Sequence, residues 1–91
     1  MEIELKIAVC DDSQADRNIL GQLLRKTACD SGIPIHIMEY ASGEELMEDI
    51  LAEHDILFLD IQMDGMDGQE TAFAFRSQNR KAVLAFVTGV A

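Results

Sequence analysis

Three aspartates stand directly after apolar runs of the kind that form buried strands. Asp11 and Asp12 follow the run that ends at Cys10, and Asp60 follows the run of residues 56–59. If these two strands are neighbours in a parallel sheet, their carboxyl ends lie ~5 Å apart and the three carboxylates converge. A lone aspartate after a strand is ordinarily a turn residue or a helix cap. A pair after one strand and a single aspartate after another instead predict a site for a small cation.

The chemistry of such a cluster follows from its charge. Like charges this close raise one another's pKa and resist ionisation unless a cation lies between them. Mg²⁺ fits because it prefers oxygen ligands at ~2.1 Å and binds one or two carboxylates together with waters and phosphate oxygens. We therefore predict a Mg²⁺-dependent phosphoryl site. A calcium loop that starts at Asp60 does not fit, because its third and twelfth positions are Gln62 and Thr71.

Four apolar, β-rich runs alternate with three segments of helical periodicity. The strands are expected at Ile3–Cys10, Ile35–Tyr40, Ile56–Leu59 and Ala82–Val87. This alternation is typical of an α/β fold with a doubly wound parallel sheet and helices on both faces. In such sheets ligands bind beyond the carboxyl ends of the strands, which is where the three aspartates fall.

Each predicted helix begins with a side chain that can cap its amino end. Ser13, Ser42 and Asp67 each have an acidic residue three positions on. The first helix is expected to end at Gly32, which suits a left-handed terminal residue. Helical spacing predicts one apolar face at Ile19, Leu20, Leu23, Leu24 and Ala28. The second predicted helix carries Leu46, Met47, Ile50 and Leu51, and the third contains Ala72, Phe73, Ala74 and Phe75.

Length and composition predict one small cytoplasmic domain over residues 1–91. The chain is 48% hydrophobic, which places it among globular rather than disordered proteins. Its net charge of −10 would repel phosphates, so we expect no nucleic-acid binding by this chain alone. No apolar run approaches the ~18 residues of a membrane span, and we expect no membrane association. Cys10 and Cys29 form no metal-binding or disulfide pattern, which favours reduced thiols.

Four motifs occur in a fitting order and spacing along the whole chain. They are IAVCDD at 7–12, LFLDIQM at 57–63, MDGQETA at 66–72 and AFVT at 85–88. Together they resemble the receiver domain of bacterial two-component response regulators, which implies a flavodoxin-like fold with strand order 2-1-3-4. The residues around Cys10 and Asp60 are similar to receivers that precede LytTR-type DNA-binding domains. A DNA-binding domain of that type would belong to a longer parent protein.

The resemblance implies a role for each site residue. Asp60 would be the phosphoacceptor, taking a phosphoryl group from the phosphohistidine of a sensor histidine kinase. Asp11 and Asp12 would hold Mg²⁺ together with Asp60 and the backbone carbonyl of Gln62. Thr88 would be the switch hydroxyl that turns toward the phosphoryl oxygen. The domain would assist its own phosphotransfer and dephosphorylation as a signalling domain rather than act as an enzyme.

The resemblance ends with the fourth strand. The family continues with a further helix, a fifth strand that ends in an essential lysine, and a last helix, and Lys81 precedes the fourth strand and cannot replace that lysine. We therefore expect a truncated receiver with an exposed edge at residues 82–87. The chain would be a fragment of a longer protein, or it would cover this edge by homodimerisation or segment exchange.

Several alternatives remain open at this point. The chain could be a receiver-like interaction or dimerisation module that is not competent for normal phosphorylation switching. A hydrolase with an aspartyl-phosphate intermediate is disfavoured, because its signature places a second aspartate where this chain has Gln62. No Lys or Arg lies between Thr27 and Phe75, which predicts either a solvated acidic face or one that steers a basic partner. Phe73 either packs at the core edge or contacts a partner, and His36 and His54 are expected to be structural.

Overall fold

The computed structural model describes residues 3–63 and 67–87, and its elements follow the predicted order. They are β1 (Leu5–Cys10), α1 (Gln14–Ser31), β2 (Ile35–Tyr40), α2 (Gly43–Glu48), β3 (Ile56–Asp60), α3 (Gly68–Gln78) and β4 (Val83–Val87). The four strands form one parallel sheet in the order β2-β1-β3-β4. The predicted doubly wound fold and its strand order are therefore confirmed.

The three helix starts and the end of α1 form where the short-range signals place them. A side-chain oxygen of Ser13, Ser42 and Asp67 each accepts a hydrogen bond from the backbone N–H three residues on, at 2.8–3.3 Å. Gly32 ends α1 with a left-handed φ of 70°, and its N–H bonds back into the last turn of the helix. These caps satisfy backbone groups that a helix terminus would otherwise leave without partners.

The main core lies between the sheet and the pair α2 and α3. Its members include Ala8, Cys10, Leu57 and Leu59 from the strands and Leu46, Ala72 and Phe75 from the helices. Fully burying a Leu or Phe side chain contributes about 1.5–3 kcal/mol, so this face supplies much of the stability. The alternate strand residues Ile7 and Val9 are buried on the opposite face, where α1 packs.

The α1 face of the sheet is covered only in part. Ile19 and Leu23 on α1 are 58% and 57% exposed, and Val83 on β4 is 61% exposed. The predicted apolar stripe of α1 is therefore wrong for Ile19 and Leu23, because no described element packs over the side of the helix that carries them. Ala28, on the same stripe, is buried against the sheet.

Helix α2 is shorter than its apolar pattern predicts. It ends at Glu48, so Ile50 and Leu51 lie in the turn that follows, and Leu51 is 96% exposed. Asp49 terminates the helix, and its carboxylate accepts a hydrogen bond from the Tyr40 hydroxyl. This long-range bond fixes the chain where local periodicity would have continued the helix.

Strand β4 lies at an edge of the sheet. Within the described residues it pairs with β3 alone, in a register that runs from Ile56 opposite Val83 to Asp60 opposite Val87. Phe86 on this strand is 48% exposed. The predicted apolar edge is present in the structure. Among the described helices, none is long and apolar enough to cross a membrane.

Candidate functional site

The carboxylates of Asp11, Asp12 and Asp60 meet at the carboxyl end of the sheet. One oxygen from each lies within 4.8 Å of the others. Strands β1 and β3 are neighbours with Cys10 opposite Leu59, so the residues that follow them come side by side. The predicted convergence of the three aspartates is therefore found. Asp11 and Asp60 are each 7% exposed, whereas Asp12 faces solvent.

Backbone hydrogen bonds fix the two buried carboxylates. The N–H of Asp11 donates to the carbonyl of Tyr40 at 3.0 Å, and Asp11 Oδ1 accepts from the N–H of Ser13 at 2.9 Å. Asp60 Oδ1 accepts from the N–H of Gln62 at 3.2 Å. Each acid thus closes a tight turn with the residue two positions on. The carboxylates are held in place by the start of the following loop as well as by their strands.

Arg17 fixes the end of β1, a role that the sequence patterns do not reveal. Its Nη1 donates to the carbonyl of Asp11 at 2.6 Å, and its Nε lies 3.3 Å from Oε1 of Glu39 on β2. The Arg17 side chain is only 14% exposed, so this bridge between the first turn of α1 and two strands is held largely out of solvent. A cation six positions after Asp11 is the one signal that could have indicated it.

Gly68 allows the first turn of α3 to approach the loop after Asp60. A β-carbon at this position would lie 2.5 Å from the Asp60 carbonyl oxygen and 2.6 Å from the Ile61 Cα. Real side chains do not tolerate such distances, so only glycine fits. The Gly68 N–H also donates to the Ile61 carbonyl at 3.1 Å. The sequence marks Gly68 as part of a motif, but the close approach becomes visible only in three dimensions.

The electrostatics of the site disfavour further negative charge. Burial, and then the charge of Asp60, raise the pKa of Asp11, while the hydrogen bond from Ser13 acts in the opposite direction. Cys10, the residue before Asp11, is fully buried, and its Sγ lies 3.8 Å from the Met63 Sδ. Burial is the main cause that raises the pKa of the Cys10 thiol to about 12, and the nearby carboxylates add to it. A cation among the carboxylates would relieve this repulsion.

The donor set fits a hard divalent cation. The three aspartates offer oxygen ligands of the type Mg²⁺ prefers, and the exposed Asp12 leaves the cluster open to waters and to a substrate. Arg17 directs its guanidinium to the Asp11 backbone carbonyl. Gln62 is described and exposed, whereas Thr88 lies outside the described residues.

A second polar cluster lies apart from the acid site. The Tyr40 hydroxyl donates to Asp49 Oδ2 at 2.5 Å and lies 3.0 Å from Nε2 of His54. His54 is 5% exposed, and its Nδ1 has no partner among residues 3–63 and 67–87. Burial lowers the pKa of His54, since the imidazolium would lose its solvation there. His36, by contrast, is exposed on β2.

Comparison with known proteins identifies the family. The sequence matches the response regulator receiver domain over residues 7–91, and the chain belongs to that family. Its fold resembles the crystal structure of the response regulator TrrA from Thermotoga maritima in complex with Mg²⁺ and BeF. The two chains have 26% identity and a TM-score of 0.81 over 96% of this chain and 71% of that one.

Two further relatives extend the comparison. The crystal structure of the chemotaxis protein CheY4 of Vibrio cholerae has 26% identity to this chain and a TM-score of 0.74, over 98% of this chain and 72% of that one. The hybrid signal transduction histidine kinase A of Dictyostelium discoideum is 32% identical over 78 residues, or 84% of this chain. The chain spans 3% of the length of that curated relative. This protein is thus a receiver domain of the two-component type.

Proposed function

We propose that Asp60 is the phosphoacceptor of this receiver domain and that the reaction depends on Mg²⁺. The observation that carries the proposal is the meeting of Asp11, Asp12 and Asp60 within 4.8 Å at the carboxyl end of a parallel sheet. Such a cluster is unfavourable by itself, because the like charges lie close together and two of them are buried. A bound divalent cation would offset this repulsion and would allow the site to accept a phosphoryl group.

The proposed reaction is a phosphoryl transfer from the phosphohistidine of a sensor histidine kinase. A carboxylate oxygen of Asp60 attacks phosphorus, the new O–P bond forms, and the P–N bond to the imidazole breaks. The released imidazole nitrogen takes up a proton from solvent. Asp11, Asp12, Asp60 and the carbonyl of Gln62 would hold Mg²⁺, which when bound offsets the negative charge on the site and on the donor.

The remaining parts of the proposal concern signalling rather than transfer. Thr88 is proposed as the switch hydroxyl, and it follows β4 directly in the sequence. The domain would work in the cytoplasm, and it would assist the loss of its own phosphoryl group. These roles are carried over from the family to matching positions of this chain.

Strand β4 supports a second candidate function. Val83 and Phe86 are 61% and 48% exposed on a strand that has an open side within the described residues. An exposed apolar edge favours strand pairing with another chain. Lys81 lies before β4, at the opposite end of the sheet from Asp60, so it cannot contact a phosphoryl group there. The chain would then act as an interaction module that dimerises or exchanges segments through β4.

Incubation with a small acyl phosphate and Mg²⁺, followed by intact-mass measurement, separates the two functions. Phosphoryl transfer predicts an adduct of about 80 Da that Asp60→Asn abolishes. Asp30→Asn, which removes an exposed acid from α1, serves as the matched control and should keep the adduct. Chelation of Mg²⁺ should reduce the yield as strongly as Asp12→Asn.

The opposite results are equally informative. An adduct that survives Asp60→Asn would show that another group is modified and would overturn the assignment. Absence of any adduct, combined with a dimer that Val83→Lys disrupts, would favour the interaction module instead. Circular dichroism of each variant checks that the substitution leaves the fold intact.

A further inference from the structure

One largely buried arginine joins the loop that carries Asp11 and Asp12 to the neighbouring strand β2. Arg17 lies in the first turn of α1, and its side chain is 14% exposed. Its Nη1 donates to the Asp11 backbone carbonyl at 2.6 Å, and its Nε donates to Oε1 of Glu39 at 3.3 Å. A single guanidinium therefore ties the end of β1 to β2 beside the proposed cation site.

The contact with Arg17 completes the hydrogen bonds of the Asp11 main chain. The Asp11 N–H donates to the Tyr40 carbonyl at 3.0 Å, and the Asp11 carboxylate accepts from the Ser13 N–H at 2.9 Å. The Asp11 carbonyl is the remaining main-chain group, and Arg17 is its donor. A hydrogen bond from a charged donor is stronger than one from a neutral donor, so this contact restrains the carbonyl.

The carbonyl that Arg17 binds belongs to the peptide unit between Asp11 and Asp12. A peptide unit is planar, so a restrained carbonyl oxygen also sets the direction of the Asp12 N–H and the position of the Asp12 Cα. Both aspartates belong to the cluster whose oxygens lie within 4.8 Å of one another. Groups that contact metal ligands from outside orient those ligands for the metal.

We propose that Arg17 is a positioning residue that raises the affinity of the aspartate cluster for Mg²⁺, and that Glu39 acts through Arg17. The inference rests on the proposed Mg²⁺-dependent site and adds two residues to it. Arg17 bonds to a backbone carbonyl and to Glu39, so its effect on the cation is indirect. Glu39 holds the guanidinium from the side of β2 and keeps it on the carbonyl.

Charge alone predicts the opposite effect of Arg17. A guanidinium beside the cluster repels a divalent cation, so its removal would strengthen Mg²⁺ binding if repulsion were its only influence. Positioning instead predicts weaker binding on removal, because the peptide unit between Asp11 and Asp12 would lose its orientation. The sign of the change in Mg²⁺ affinity therefore distinguishes the two influences.

Calorimetric titration of the intact chain with Mg²⁺ measures this sign. Arg17→Ala should raise the Kd for Mg²⁺ about ten-fold. Arg17→Lys keeps the charge but lacks the planar fork that reaches two acceptors, so it should raise the Kd about three-fold. Arg25→Ala removes the same charge from an exposed position on α1 and should leave the Kd within about two-fold of the wild-type value.

A double-mutant cycle tests whether Glu39 acts through Arg17. Glu39→Ala should raise the Kd for Mg²⁺ about three-fold in the wild type and by less than about 1.5-fold in Arg17→Ala, where the guanidinium is already gone. An equal effect of Glu39→Ala in both backgrounds would overturn the role assigned to Glu39.

The rate of adduct formation from a small acyl phosphate provides a second readout. Saturating Mg²⁺ should restore the rate of Arg17→Ala to within about two-fold of the wild-type rate, because the substitution weakens cation binding and leaves Asp60 in place. A rate that stays low at saturating Mg²⁺ would overturn the proposal, since Arg17 would then act on the transfer itself.

The wild type separates failure of this inference from failure of the proposed function. A wild type that binds Mg²⁺ and forms the adduct, together with an unchanged or lower Kd in Arg17→Ala, overturns the role of Arg17 alone. A wild type that does neither overturns the proposed phosphoacceptor site, and the role of Arg17 with it. Circular dichroism checks the fold of each variant, and Arg17→Lys decides the outcome if Arg17→Ala does not fold.

Discussion

The two ends of the sheet differ in how their charged groups are arranged. At the carboxyl end, three negative carboxylates, those of Asp11, Asp12 and Asp60, lie within 4.8 Å of one another. At the amino end, Lys6 pairs with Glu53 at 3.1 Å, and the Lys6 N–H donates to a carboxylate oxygen of Asp55 at 2.8 Å. The amino end uses polar groups to join strands and loops, whereas the carboxyl end keeps groups that oppose folding. Removing a polar side chain at the amino end should therefore lower the free energy of unfolding, whereas removing a buried carboxylate charge at the carboxyl end should raise it.

The largest effect is expected where glycine permits the close approach at the carboxyl end. Gly68→Ala should lower the free energy of unfolding by about 3 kcal/mol, because the new β-carbon would overlap backbone atoms of Asp60 and Ile61. Urea denaturation measures the change. Gly21→Ala is the matched control, since its β-carbon meets only the flexible end of Arg25, and it should stabilise α1 by about 0.5 kcal/mol. Equal effects at the two glycines would contradict the close approach.

At the amino end, Asn79→Ala should lower the free energy of unfolding by about 2 kcal/mol. The substitution removes one donor and one acceptor that together bind three backbone groups, and it leaves these groups partly buried without partners. Asn18→Ala, at an exposed position in α1, should change stability by less than about 0.5 kcal/mol. A neutral Asn79→Ala would show that the loop before β4 does not depend on this side chain.

The sign should reverse at the carboxyl end. Asp11→Asn keeps an oxygen for the Ser13 N–H and removes a buried like charge, so we expect it to stabilise the metal-free protein by about 1 kcal/mol near pH 7. Because the folded pKa of Asp11 is raised, the cost of its charge disappears as pH falls through that pKa, and the gain should shrink in acid. Thermal unfolding of the wild type and of Asp11→Asn without Mg²⁺, near pH 7 and in acid, measures the stabilisation and its decrease.

The response of the melting temperature to Mg²⁺ provides a second test of this prediction. Mg²⁺ should raise the melting temperature of the wild type, since it binds the folded state, and should have little effect on Asp11→Asn. A destabilised Asp11→Asn protein would mean that the carboxylate contributes to folding, and the contrast between the two ends of the sheet would then fail.

The smallest effect concerns pH and the buried His54. Its folded pKa lies below the ordinary value of 6.5, so the unfolded chain binds more protons between these two pKa values. The free energy of unfolding should therefore fall as pH decreases from about 7 through 6.5 toward the folded pKa. His54→Gln should flatten this part of the pH profile, whereas His36→Gln, at an exposed position, should leave it unchanged. An identical slope in both variants would remove His54 as its source.

Sequence patterns predicted the features that depend on neighbouring residues or on strand order. The caps at Ser13, Ser42 and Asp67 need only a side chain and an N–H three residues on, and all three are found. The convergence of Asp11 with Asp60 needs only the parallel order of β1 and β3, which the alternation of strands and helices favoured.

Features that depend on contacts between distant residues could not be predicted in the same way. Helix α2 stops early at Asp49, which bonds to Tyr40 on β2. Periodicity likewise could not tell which apolar residues of α1 a neighbouring element would cover, and Ile19 and Leu23 proved exposed. The roles assigned to Asp60, Gln62 and Thr88 stay predictions, because chemistry rather than position decides them.

The burial of Cys10 has a practical consequence for studying this domain. Its thiol has a pKa raised to about 12 and is fully buried, so almost none of it is thiolate at neutral pH. Cys29, the other cysteine of the chain, is exposed on α1. A maleimide dye should therefore attach at Cys29 alone, without any substitution. The wild-type protein offers a natural attachment point for fluorescence measurements of cation binding, phosphorylation and self-association.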